Sequence, residues 1–124
     1  MKLFIFLAGV FLLTISADKC GKKANEAGTC KGKLEIKGLC MNYTIRLLGG
    51  NMDTSLVNAA WTNEITGKSY SNVFGLGSPC TFPATINEGD EFYFTIDSSK
   101  QECPVCLAYY PTPPKKLSIK VVQK

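Results

Sequence analysis

Residues 103–106, Cys-Pro-Val-Cys, form the one Cys-x-x-Cys of this chain, and Tyr109, Tyr110 and Pro111 follow closely. Two cysteines at this spacing can exchange electrons, hold half of a metal site or staple a loop. Redox work requires a lowered thiol pKa, generally supplied by a helix N-terminus. Here the flanking Val-Cys-Leu-Ala-Tyr-Tyr has a strand flavour, and no βαβ pattern surrounds it. A zinc site needs two further ligands, for which Cys40 and Cys80 are the candidates. The surroundings favour the third reading, structural sulfur anchoring a proline-rich loop.

Other chemistry is sparse. The chain has no histidine, so it lacks the commonest general base and the commonest metal ligand. A carboxylate pair could serve glycoside hydrolysis. However, Asp90 and Glu91 are adjacent and point to opposite faces of a strand, while Glu88 and Asp90 belong to a turn. Ser98 and Ser99 sit in a polar loop without a visible base. Gly49-Gly50 and Gly75-Leu76-Gly77 lack the strand–loop–helix setting of a phosphate loop. We therefore expect no catalytic residue, no metal, no cofactor and no enzymatic activity. The aromatic residues offer contact area instead: Trp61, Tyr93, Tyr109, Tyr110 and Pro111 are the candidate binding surface for a carbohydrate or a protein.

The compartment is read from the front of the chain. Met1-Lys2 precedes an apolar run from Leu3 to Ile15, whose helix would rise only about 20 Å against a hydrocarbon core of about 30 Å. With Ile15-Ser16-Ala17 ahead of Asp18, residues 1–17 read as a cleaved secretory signal. Lys19 before Cys20 argues against lipidation, and no later segment is apolar enough to span a membrane. A secreted or periplasmic protein is expected. Six cysteines, Cys20, Cys30, Cys40, Cys80, Cys103 and Cys106, then imply disulfides. Sequence proximity favours Cys20–Cys30, Cys103–Cys106 and a long-range Cys40–Cys80, without excluding the other pairings. The formal net charge of +4 is too mild to argue for nucleic acid. Lysines crowd the segment 18–31, which reads as a separate Lys/Cys-containing lead into one β domain, 32–124.

The elements that must carry these residues read as strands. Leu34 and Ile36 share one face. Leu39, Met41, Tyr43, Ile45 and Leu47 share the other parity, so a bulge at Gly38 within one long strand over 33–48 is expected, with two separate strands as the alternative. Val57, Ala59 and Trp61 alternate on a second strand. Thr66-Gly67 carries hairpin chemistry, leading to a third strand with Tyr70, Phe74 and Leu76. Asn87 to Asp90 is a tight turn before Phe92, Phe94 and Ile96. Residues 105–110 suit a short edge strand, the prolines at 111–114 break the ladder, and Leu117, Ile119 and Val121 close the chain. The class is all-β. The architecture expected first is a five- to six-stranded Greek-key barrel of the OB type, and the alternative is an immunoglobulin-like sandwich.

Tyr70, Asn72-Val73-Phe74, Pro79-Cys80, Phe82-Pro83, Glu88-Gly89-Asp90, Cys103, Cys106 and Pro111-x-Pro113 together give a pattern that resembles small secreted proteins of unknown function in Bacteroidota-type bacteria. The resemblance spans residues 32–122 and implies the periplasm or the cell exterior. It carries over no catalytic residue. Three functions are therefore expected in turn: a secreted, non-catalytic binding domain for carbohydrate or protein, a thiol–disulfide or metal-handling protein using Cys103 and Cys106, and a structural envelope-associated protein. Asn42-Tyr43-Thr44 is read as a coincidental glycosylation sequon.

Overall fold

The computed structural model describes residues 28–50, 53–97 and 107–123. They form seven strands: β1 (Cys30–Lys37), β2 (Tyr43–Gly49), β3 (Asn58–Thr62), β4 (Ser69–Leu76), β5 (Glu91–Ile96), β6 (Lys116–Leu117) and β7 (Ile119–Val122). All belong to one sheet of order β3-β4-β2-β1-β5-β7, with β6 pairing parallel to β4. The all-β expectation is met, and no described helix is long and apolar enough to cross a membrane.

The expected long strand over 33–48 is two strands. Gly38 is not a bulge: it is extended (φ −71°) and leads into the turn Leu39–Met41. Cys40 (φ 58°) and Met41 (φ 62°) take the left-handed conformation there. They reverse the chain, so β1 and β2 pair antiparallel. The parity switch thus comes from a reversal. The β1–β2 register shifts twice, between Lys31 and Gly32 and again just before the turn, where Leu34 opposes Ile45 but Ile36 opposes Thr44. Glu35 is the extra residue there, which sends Ile36 to the face opposite Leu34.

Two faces are consequently covered. The main core gathers Leu34, Tyr43, Ile45, Val57, Phe74, Phe92, Phe94 and Ile119. Phe82 closes one end of it, edge-on to both Tyr43 and Phe92 at 5.6 and 5.4 Å. Ile36 and Val73 are equally buried yet stand outside that cluster. Their face is covered by the proline-rich segment 110–115: a Cβ on Gly75 would stand 3.2 Å from Pro113 O and 3.4 Å from Thr112 Cβ. Pro111 and Pro113 are buried in this layer. Leu107 to Tyr110, expected as part of an edge strand, has no strand pairing, and residues 105–106 lie outside the described residues.

The expected barrel is not formed: the sheet does not close on itself. After the prolines, β6 runs beside β4, and one residue later β7 pairs with β5. That run touches both flanks of the sheet. Only Gly75↔Lys116 and Leu76↔Leu117 pair across the seam, too few to join the edges into a continuous barrel. Ser78, fully buried, fastens this crossing: its hydroxyl accepts from Ile119 N at 2.8 Å and donates to Ile119 O at 2.9 Å. Among the described residues an immunoglobulin-like pair of sheets is not formed, because all seven strands belong to the same sheet.

Candidate functional site

The β3–β4 hairpin builds the site. Gly67 (φ +71°) makes the turn, with Gly67 N donating to Asn63 O and Asn63 N to Lys68 O at 2.7 and 2.9 Å. This is the reversal that Thr66-Gly67 signalled. Trp61 on β3 stands opposite Tyr70 on β4, and the rings stack at 5.8 Å and 29°. Lys68 Nζ lies 5.3 Å from the Tyr70 ring centre.

The hairpin does not continue the plane of the sheet. From its register with β2, a straight β4 would carry residue 68 roughly nine positions past the level of Gly38, about 30 Å at ~3.3 Å per residue. Yet Tyr110 spans from one to the other. Its ring lies against Gly38, where a Cβ would be 2.8 Å from Cδ1, and its hydroxyl accepts from Asn63 Nδ2 at 3.2 Å. The hairpin must therefore fold back over the outer face, and Asn72 (φ 54°) is the left-handed residue in β4 where the chain turns. Electrostatics agree. Burial, then Glu35, Glu88 and Tyr110, raise the Tyr70 phenol above its ordinary value, and Glu88 sits beside Lys37 at the end of β1.

Three segments meet at this end. Asn42 Nδ2 donates to Leu39 O (2.8 Å) and to Ala108 O (3.0 Å), tying the 39–41 turn to the 107–110 segment. Tyr109 OH donates to Glu64 Oε1 at 2.9 Å, tying that segment to the hairpin turn. This bond holds the Tyr109 phenol above its usual pKa. The apolar side chains beside these ties point outward: Leu39 is 63% exposed, Ile65 63%, Tyr109 75%, and Leu107 fully exposed. Among the described residues, Leu48 is the one other exposed large hydrophobic side chain. Contiguous apolar surface of this kind marks contact sites.

Of the residues expected to bind, Trp61, Tyr109 and Tyr110 come together here. Pro111 joins them only as packing, since it is buried. Tyr93 does not join them. It lies on β5 under Lys31 Nζ, 5.9 Å from its ring centre, and lines a separate cleft of about 460 Å³ with Pro83, Ile86, Phe92 and Val121. Sequence reasoning missed Ile65 and Leu107, and it placed Leu39 on the inward face of the expected long strand, whereas Leu39 lies in the turn and is 63% exposed. Each is a lone apolar residue in a turn or loop, and only their convergence has meaning. The Asn42 sequon is occupied in another way, because its amide is spent on Leu39 and Ala108 and Thr44 is fully buried.

No group of three or more potential metal ligands occurs among the described residues. Cys30, Cys40 and Cys80 are not free thiols, yet no two described cysteines stand at disulfide distance. The Cys40–Cys80 bridge expected from spacing is therefore not formed. Cys20, Cys103 and Cys106 lie outside the described residues. Compared with known protein families, curated proteins and solved structures, the chain matches none of them.

Proposed function

We propose that this chain is a secreted or periplasmic, non-catalytic β domain that binds another protein through its apolar end. The observation that carries the reading is the convergence of Leu39, Ile65, Leu107 and Tyr109 from three segments onto one surface. Leu39 and Ile65 are fixed by hydrogen-bonded turns, and Tyr109 by its bond to Glu64. Aliphatic residues with a tyrosine and a polar rim suit a protein contact, where apolar anchors supply most of the affinity. The compartment rests on the reading of residues 1–17 as a cleaved signal. The cysteines agree with it, since Cys30, Cys40 and Cys80 are not free thiols.

A carbohydrate ligand is the second reading, favoured by the exposed ring of Tyr109, which is tied through Glu64 to the hairpin that carries the Trp61–Tyr70 stack. One experiment separates them. Native culture or envelope extract is cross-linked to the wild-type domain and to Leu39→Ser/Ile65→Ser/Leu107→Ser, and the captured proteins are identified by mass spectrometry. A glycan array is run on wild type and Tyr109→Ala. A specific partner lost with the triple variant, together with a silent array, supports the protein reading. Recovery of the same partners by the triple variant overturns it, as does a glycan signal lost with Tyr109→Ala.

A further inference from the structure

We infer that the outward edge of β3 pairs antiparallel with the same edge of a second copy of this chain. β3 ends the strand order. Which of its groups face outward follows from the ladder. Asn63 N donates to Lys68 O, so 63 and 68 form a hydrogen-bonded pair. In an antiparallel ladder such pairs alternate with non-bonded ones. Trp61 and Tyr70 are therefore bonded, whereas the Thr62–Ser69, Ala60–Ser71 and Asn58–Val73 positions are not. The 2.8 Å contact between Thr62 Oγ1 and Ser69 Oγ agrees, since side chains approach most closely at non-bonded pairs. The N–H and C=O groups of Asn58, Ala60 and Thr62 consequently point away from β4. Among the described residues, no hydrogen bond from outside the ladder reaches the backbone of Ala60 or Thr62.

Natural edges are usually blunted by charge, proline or a bulge. β3, Asn-Ala-Ala-Trp-Thr, has no charged residue and no proline, and Ala60 to Thr62 keep an unbroken register with β4. Lys115 touches only its beginning, through Asn58 Oδ1 and Val57 O. The strand is also self-complementary. With a two-fold axis at Ala60, Trp61 falls opposite Ala59 of the partner subunit. A large ring then meets a small side chain, and no like charges face each other despite the net positive chain. Closed two-fold pairing of this kind is the commonest homo-oligomer. An edge of five residues is short, so the dimer is weak and concentration-dependent. The edge is distinct from the apolar end, and this inference does not rest on the proposed binding function.

The test is sedimentation equilibrium from about 1 μM to about 1 mM, a range covering weak association. Three chains are compared: wild type, Ala60→Lys and Ala60→Pro. Circular dichroism and thermal midpoint verify the fold. Proline at 60 removes an outward donor and spares the ladder to β4, while lysine places two like charges across the axis. Wild type is expected to dimerise, with Trp61 emission shifting blue as dimer forms, and both variants to weaken dimerisation at least tenfold. If proline disturbs folding, the lysine variant carries the test. A wild type that stays monomeric throughout, or a folded variant that dimerises equally well, overturns the inference.

Discussion

Glu35 is the residue at which the bulge and the folded-back hairpin collide. Its side chain is only 12% exposed, its nearest cation is Lys33 Nζ at 3.7 Å, and its Oε1 is buried without a hydrogen-bond partner. Burying a carboxylate without full compensation costs free energy, and a well-packed apolar replacement is often neutral or stabilising. We expect Glu35→Leu to raise stability by about 1 kcal/mol, read from urea denaturation midpoints, since the half-exposed Lys33 remains solvated. A loss of 1 kcal/mol or more would show that Glu35 holds the hairpin down. Thr44, whose Oγ1 is likewise buried and unpartnered under the proline layer, is another polar group enclosed by this covering. Both were legible only as residues on a polar strand face. Nothing local announces that a second layer will close over them.

At the scale of elements, one left-handed residue decides where the site lies. Asn72 (φ 54°) bends β4 so that the hairpin reaches Tyr110 and Gly38. Asparagine tolerates this conformation, glycine adopts it freely, and a β-branched residue is strained there. Asn72→Gly is expected to leave stability within about 0.5 kcal/mol and Asn72→Val to cost about 1–2 kcal/mol. The valine variant should also lose the near-ultraviolet dichroism of the Trp61–Tyr70 stack. Equal midpoints and spectra for the two variants would remove Asn72 as the hinge of the hairpin. The hairpin turn itself, the Asn87–Asp90 turn and the β5 alternation were readable because their signals are local. Gly89 (φ 94°) and the Asn87 N to Asp90 Oδ2 bond realise the second turn as its sequence implies. The 33–48 region was misread because a bulge and a tight reversal produce the same parity change.

For the molecule as a whole, pH dependence follows from tyrosines. Burial raises the Tyr43 phenol, and burial with nearby Glu35, Glu88 and Tyr110 raises Tyr70. The folded state favours the neutral phenols, so their contribution is complete below the unfolded value of about 10 and is lost as pH rises through the raised values. Without histidine, no side chain of ordinary pKa changes charge between about pH 5 and 8. Chemical stability should therefore be flat from about pH 7 to 9 and fall above about pH 10. Tyr43→Phe/Tyr70→Phe should reduce that alkaline loss, and an unchanged loss would place its origin elsewhere. The same scale governs architecture. The C-terminal run touches both flanks of the sheet, but two paired residues do not make a seam.

The sequence by itself determined the all-β class, the strands around Leu34, Ile45, Trp61, Phe74 and Phe94, and the absence of histidine. Period-two burial and glycine turns are local properties, and an absent histidine is absent in any fold. It also brought Trp61, Tyr109 and Tyr110 forward, as aromatic residues near proline or on a strand. Only the tertiary structure decided that these three converge, that Tyr93 belongs to another cleft and that Pro111 is buried. It alone joined Leu39, Ile65 and Leu107 into a surface. The reason is physical: convergence depends on a single φ at Asn72, a one-residue bulge at Glu35 and hydrogen bonds between residues more than 40 positions apart. None of these leaves a periodic mark in the chain.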